Sequence, residues 1–104
     1  MPAIQQVETG AMRRAAGRAT ALLRALANAD RLLLLCQLTH GEKCVGDLEA
    51  QLDIRQPTLS QQLGVLRRER LVSTRREGKR IYYRIRNAEV GRVLQSLYSI
   101  YCRG

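Results

Sequence analysis

The chain has 104 residues, 18 Lys and Arg against 9 Asp and Glu, and neither Trp nor Phe. That length supports one modest core and excludes a second, and the longest apolar run, Leu32 to Cys36, is far short of the roughly 18 to 20 residues a bilayer span needs. With Tyr as its only aromatic residue, the chain has little to offer as a base-stacking platform for single strands.

The opening MPAIQQVETG lacks a basic start followed by an apolar stretch, so it does not read as a secretion signal, and a cytoplasmic protein is expected. Residues 1–10 read as a flexible arm ahead of one domain spanning 11–104. A first helix follows from about Ala11 to Ala27, with Ala15, Ala19, Leu22, Leu23 and Leu26 at helical spacing. Asn28 breaks the run. The second helix, about Asp30 to Thr39, is apolar nearly all round, as a helix at the centre of a bundle should be, and His40-Gly41 stops it.

Val45 to Leu52 gives a short third helix with Val45, Leu48 and Leu52 inward. Residues 53–56 form a tight turn, and Pro57 suits the first turn of a fourth helix that continues to about Arg70. Leu59, Leu63 and Leu66 form its buried side, leaving Thr58, Ser60, Gln61 and Gln62 outward. Two short helices so joined make a helix-turn-helix. Alternating strands on either side of Glu77-Gly78 then predict a β-hairpin wing, and a last helix, about Ala88 to Tyr101, carries the stripe Val90, Val93, Leu94, Leu97 and Tyr101. The expected fold is mainly α with a β-hairpin wing.

Charge is concentrated on the same region. Residues 1–54 hold six basic and six acidic side chains, whereas Arg55 to Arg86 hold ten Lys and Arg against Glu69 and Glu77, a net +8. Such a concentration is the electrostatic footprint of a surface that neutralises phosphates. Gln pairs bidentately with adenine, and Ser and Thr donate or accept at base edges, so Gln56, Thr58, Ser60, Gln61 and Gln62 are the groove candidates. Arg75, Arg76, Lys79 and Arg80 flank the hairpin tip, where a cation reaches a minor groove or the backbone. Tyr82 and Tyr83 alternate across the strand, so one is expected on the core and the other partly exposed. An enzyme is not expected: there is no glycine-rich phosphate loop, no paired carboxylates, and one histidine without a nucleophile partner.

Helix order, wing and motif text together resemble the ArsR/SmtB family of bacterial winged-helix repressors over about residues 18–103. QPTLSQQLGVLR (56–67), LLRALANADRLLLLCQL and the ending LYSIYC are similar to its sulfide- and redox-responsive branch, typified by the BigR and SqrR regulators. The resemblance implies a homodimer joined through its first and last helices, with both copies of the fourth helix in successive major grooves of a palindromic double-stranded operator. It also implies that Cys36 and Cys102 are a sensing pair for reactive sulfur or oxidants.

Read without the resemblance, the three cysteines point elsewhere. Their odd number and wide separation argue against a secreted disulfide scaffold. Cys36 sits in a Leu run and reads as an inert core thiol. Cys44, beside Lys43 and just before a helix, reads as the more reactive thiol, since the positive helix end favours a thiolate and the C-terminal position of Cys102 does not. The alternative function is a metal- or metalloid-responsive repressor using Cys44 and other thiols. Against it, metal-sensing family members carry Cys-Val-Cys-Asp-Leu where this chain has Cys44-Val45-Gly46-Asp47-Leu48. The last helix has no His and no Asp for the family's second metal site, and His40 reads as an ordinary helix-end residue. No metal and no cofactor are expected.

Overall fold

The computed structural model describes residues 8–102, so residues 1–7 of the expected arm lie outside the described residues. Helix α1 (Thr9–Leu26) starts two residues earlier than the apolar pattern suggests, because the Glu8 carboxylate accepts from the amides of Gly10 and Ala11 and caps it. Helix α2 (Ala29–Leu38) opens on an Asn28 cap, whose Oδ1 accepts from the Arg31 amide, and closes into Gly41 at φ +128. Strand β1 (Lys43–Cys44) and helix α3 (Val45–Leu52) follow, the helix ending on Asp53 in the left-handed region at φ +54.

Helix α4 (Thr58–Arg68) stops short of the expected Arg70, which turns left-handed at φ +61 and starts the chain into strand β2 (Val72–Glu77). Strand β3 (Arg80–Ile85) returns antiparallel, with Val72 opposite Ile85 and Glu77 opposite Arg80. The two-residue tip is therefore Gly78-Lys79, one position later than the sequence suggested. Gly78 takes φ +63, in keeping with the preference of such hairpins for glycine at the first tip position. Helix α5 (Ala88–Tyr101) is the last element among the described residues. This is the winged helix-turn-helix architecture the elements predicted, with one addition: β1 pairs with β3 through Lys43 opposite Tyr83, making a three-stranded sheet ordered β1-β3-β2.

Leu34, Leu35 and Leu38 of α2, Leu48 of α3, and Leu59, Leu63 and Leu66 of α4 meet at the centre, closed by Val72, Val90 and Leu94. Full burial of one such Leu contributes about 1.5 to 3 kcal/mol, so this cluster holds α4 on the domain by its Leu59, Leu63 and Leu66 side. Helix α2 is not apolar all round in its packing. Leu33 remains 46% exposed and Cys36 is also exposed.

Candidate nucleic-acid interface and thiol groove

At about 100° per residue, Gln61 points directly away from the Leu59, Leu63 and Leu66 stripe, and Thr58 and Ser60 lie on its two sides. All three are exposed. Gln56 lies in the turn before α4, where its Oε1 accepts from the Ser60 amide at 3.1 Å and the Ser60 hydroxyl at 2.6 Å. This side chain caps the helix and orients Ser60. Gln62 differs from the others: it flanks the buried stripe and is half-buried, and its Oε1 accepts from Arg31 Nη1 of α2 at 2.8 Å.

In the wing, Arg76, Lys79 and Arg80 are exposed, and none of the ion pairs among the described residues engages them. Arg75 is held. Its Nε and Nη2 donate to the two Glu42 carboxylate oxygens at 2.8 and 2.7 Å, and Nη1 donates to Glu77 at 2.7 Å. The same guanidinium stacks 4.5 Å from the centroid of the Tyr82 ring. Hydrogen bonding to Glu42, then to Glu77, holds its proton above the ordinary arginine range, and Arg75 in turn keeps the Glu42 carboxyl below the ordinary glutamate range. Two acids thus already compensate the charge that the sequence offered to phosphate. Tyr83 packs against the core while Tyr82 underlies Arg75.

The thiols are distributed differently from what local sequence suggests. Cys44 is 6% exposed and lies in β1 opposite Tyr82, away from ready attack. Cys36 and Cys102 are exposed, and all three cysteines are free. Leu33, Cys36 and Gln37 at i, i+3 and i+4 on one side of α2, with His40 just past its end, face Gly91, Gln95, Tyr98 and Cys102 from the last helix and its end. Between them runs an open groove of about 920 Å³ that contains both thiols. Although Cys36 is exposed as a residue, the groove walls take solvent from its sulfur. This burial pushes the thiol up first, and the nearby Cys102 adds to the shift.

Among the described residues no three His, Cys, Asp or Glu side chains converge in a way that could hold a metal ion. Among the same residues no helix is long and apolar enough to cross a membrane. Sequence reasoning missed the Glu42 clamp on Arg75 and the Arg31 contact to Gln62, both of which join residues more than thirty positions apart. A signal for Gln62 was present in the helical wheel, where it sits about 60° from Leu59 while Gln61 sits opposite.

A model of the arsR family of bacterial regulatory proteins matches residues 28–74. The biofilm growth-associated repressor of Agrobacterium fabrum (strain C58) is 50% identical over 99 residues, covering 95% of this chain and 85% of that protein. The solved structure of the transcriptional repressor BigR from Xylella fastidiosa matches with a TM-score of 0.85 at 45% identity, over 92% of this chain and 98% of that one. Reduced HlyU from Vibrio cholerae N16961 matches with a TM-score of 0.83 at 40% identity, over 88% and 96%.

The basic wing and polar helix carried on a leucine core, together with these relatives, make the chain a winged helix-turn-helix transcriptional regulator of the DNA-binding type. At 50% identity over most of both chains, this protein belongs to the arsR family of bacterial regulatory proteins.

Proposed function

We propose that this chain is a cytoplasmic homodimeric repressor. It binds a palindromic double-stranded operator and releases it when reactive sulfur or an oxidant joins Cys36 to Cys102. The observation that carries this reading is the shared groove: two exposed free thiols, 66 positions apart (102 − 36), on facing sides of α2 and the end of α5. The name of the Agrobacterium relative supports repression.

The chemistry follows from thiolate attack. With peroxide, Cys36 takes one oxygen as a sulfenic acid and releases water, and Cys102 displaces a second water to form the disulfide. With an organic hydropersulfide, the two thiols lose two electrons and two protons, and the hydropersulfide is reduced to a thiol and hydrogen sulfide. A direct disulfide needs Cα atoms within about 4.4 to 6.8 Å, so its formation draws the end of α5 toward α2. In a dimer joined through α1 and α5, that movement changes the spacing of the two α4 helices, which must match about 34 to 36 Å of duplex. A coupling of about 1 to 3 kcal/mol is enough for control.

The test uses a duplex enriched by the reduced wild-type protein from a randomised library. Cys36→Ser and Cys102→Ser should each keep binding and lose the response to peroxide and to a persulfide donor, while Cys44→Ser should respond as wild type. Intact mass should show loss of two hydrogens only when both Cys36 and Cys102 are present. Loss of the response in Cys44→Ser alone would overturn the assignment.

A further inference from the structure

Arg31 occupies an unusual position, half-buried between three helices. Its Nε donates to the Ala25 carbonyl at 2.6 Å and its Nη2 to the Arg24 carbonyl at 3.1 Å, both at the C-terminal end of α1. Both carbonyls lie in the last turn, at the end whose dipole favours a cation, and the Arg24 carbonyl also accepts from the Ala27 amide at 3.3 Å. Its Nη1 reaches across to Gln62 on α4. The Asn28 cap fixes the Arg31 backbone from which this fork extends. One planar guanidinium therefore ties the end of α1 to the recognition helix from the first turns of α2.

This arrangement bears directly on what Gln62 can do. Bidentate reading of adenine needs the carboxamide oxygen as acceptor and its nitrogen as donor together. Arg31 has only donors, so the Gln62 oxygen faces it, which uses one of its two lone pairs and turns the carboxamide toward α2. We propose that Gln62 is a positioning residue, not a base reader, and that the Arg31–Gln62 contact sets the angle at which α4 presents Thr58, Ser60 and Gln61. Because the same guanidinium grips the end of α1, the angle is referenced to that helix, whose opposite side remains open to a second copy. The inference rests on α4 being the element that enters the major groove.

A double-mutant cycle on the library-selected duplex, with a random duplex of equal length as reference, tests the proposal. Arg31→Lys keeps the charge and loses the fork, and Gln62→Met keeps the bulk and loses the acceptor. Each should weaken binding to the selected duplex about tenfold, as for a hydrogen bond to a charged group, and the double variant should be no weaker than either. Affinity for the random duplex should hold. Gln62→Glu is the discriminating variant. A carboxylate accepts from the same guanidinium and should preserve wild-type discrimination, whereas a base reader changed to Glu loses its donor and repels phosphate.

Additive losses in the cycle, or Gln62→Glu as damaging as Gln62→Met, would overturn the positioning role. Circular dichroism of each variant separates misfolding from misorientation, and Gln62→Glu alone decides the matter if Arg31→Lys fails to fold. Gln61→Ala is the control for the underlying reading. If it leaves the selected duplex bound as tightly as before, α4 is not the groove helix, and that premise fails separately from the Arg31–Gln62 contact.

Discussion

Cys36 and Cys102 line the same groove between α2 and the end of α5, although the two are separated by most of the domain in sequence. Partial burial in the groove is the larger cause of the raised Cys36 value and Cys102 the smaller. Below that value the thiol predominates and only the thiolate attacks, so the reaction rate should climb about tenfold per pH unit until the value is passed. Replacing Cys102 with Ser removes only the smaller cause. In a Cys44→Ser background, Cys36 alkylation followed by mass across neutral to mildly alkaline pH should therefore rise with pH, with the midpoint of Cys102→Ser shifted modestly down. A pH-independent rate would contradict the raised value.

Arg75 and Arg76 are neighbours in β2 with different electrostatic histories. Arg76→Ala should weaken binding to every duplex alike and reduce the salt slope by about one unit, the signature of one lost phosphate contact. Arg75→Ala should reduce it much less, because Glu42 and Glu77 already compensate that charge. Glu42→Gln should act in the opposite direction, leaving Glu77 as the only acid on Arg75 among the described ion pairs and steepening the slope. Equal flattening by Arg75→Ala and Arg76→Ala, measured by anisotropy across a salt series, would show that the clamp opens on DNA.

Much of this was legible in the chain because it is local. The i, i+4, i+7 spacing of Leu59, Leu63 and Leu66 revealed which side of α4 is buried, and alternation about Gly78 revealed the wing, since periodicity reports burial directly. The bounds of α3 and α5 were also readable. What escaped were relations between distant side chains. A two-residue strand such as Lys43–Cys44 has no pattern of its own and exists only because β3 offers it an edge. Cys36 looked like core because it stands in a run of leucines, yet a helix in a domain this small has one side left over. The run says nothing about which side that is. Resemblance to a family paired Cys36 with Cys102 where local physics favoured Cys44; Cys44 is buried while Cys36 and Cys102 are exposed, and a helix terminus helps only a thiol that reagents can reach.

The Glu42–Arg75 contact also makes the wing sensitive to acid. Glu42 has a folded value below its ordinary one, chiefly through the Arg75 hydrogen bonds, with burial opposing. A depressed carboxyl contributes stability that is complete above the ordinary value of about 4.3 and is lost as pH falls through the lower folded value. The ring of Tyr82 lies 4.5 Å from the guanidinium and reports the contact. Its NMR ring shifts should move on acidification in wild type, and in Glu42→Gln should already be displaced at neutral pH. Shifts that are the same in both proteins throughout would separate the ring from the clamp.

Leu23 of α1 is 58% exposed, and Ile100 and Tyr101 of α5 are 65% and 77% exposed, so both helices leave large apolar side chains uncovered. They lie on the two helices that the proposed homodimer joins, and a two-fold interface would pair each patch with its own copy. Ile100→Asp introduces a charge that such an interface would bury, while leaving the core around Leu94 and Val90 untouched. The variant should sediment as a monomer at micromolar concentration and keep its helical content. Its affinity for the palindromic duplex should fall about a hundredfold or more, because the second half-site is no longer held at high effective concentration. Affinity for an isolated half-site should change little. A wild-type protein that sediments as a monomer under the same conditions, or an Ile100→Asp dimer, would place the interface elsewhere.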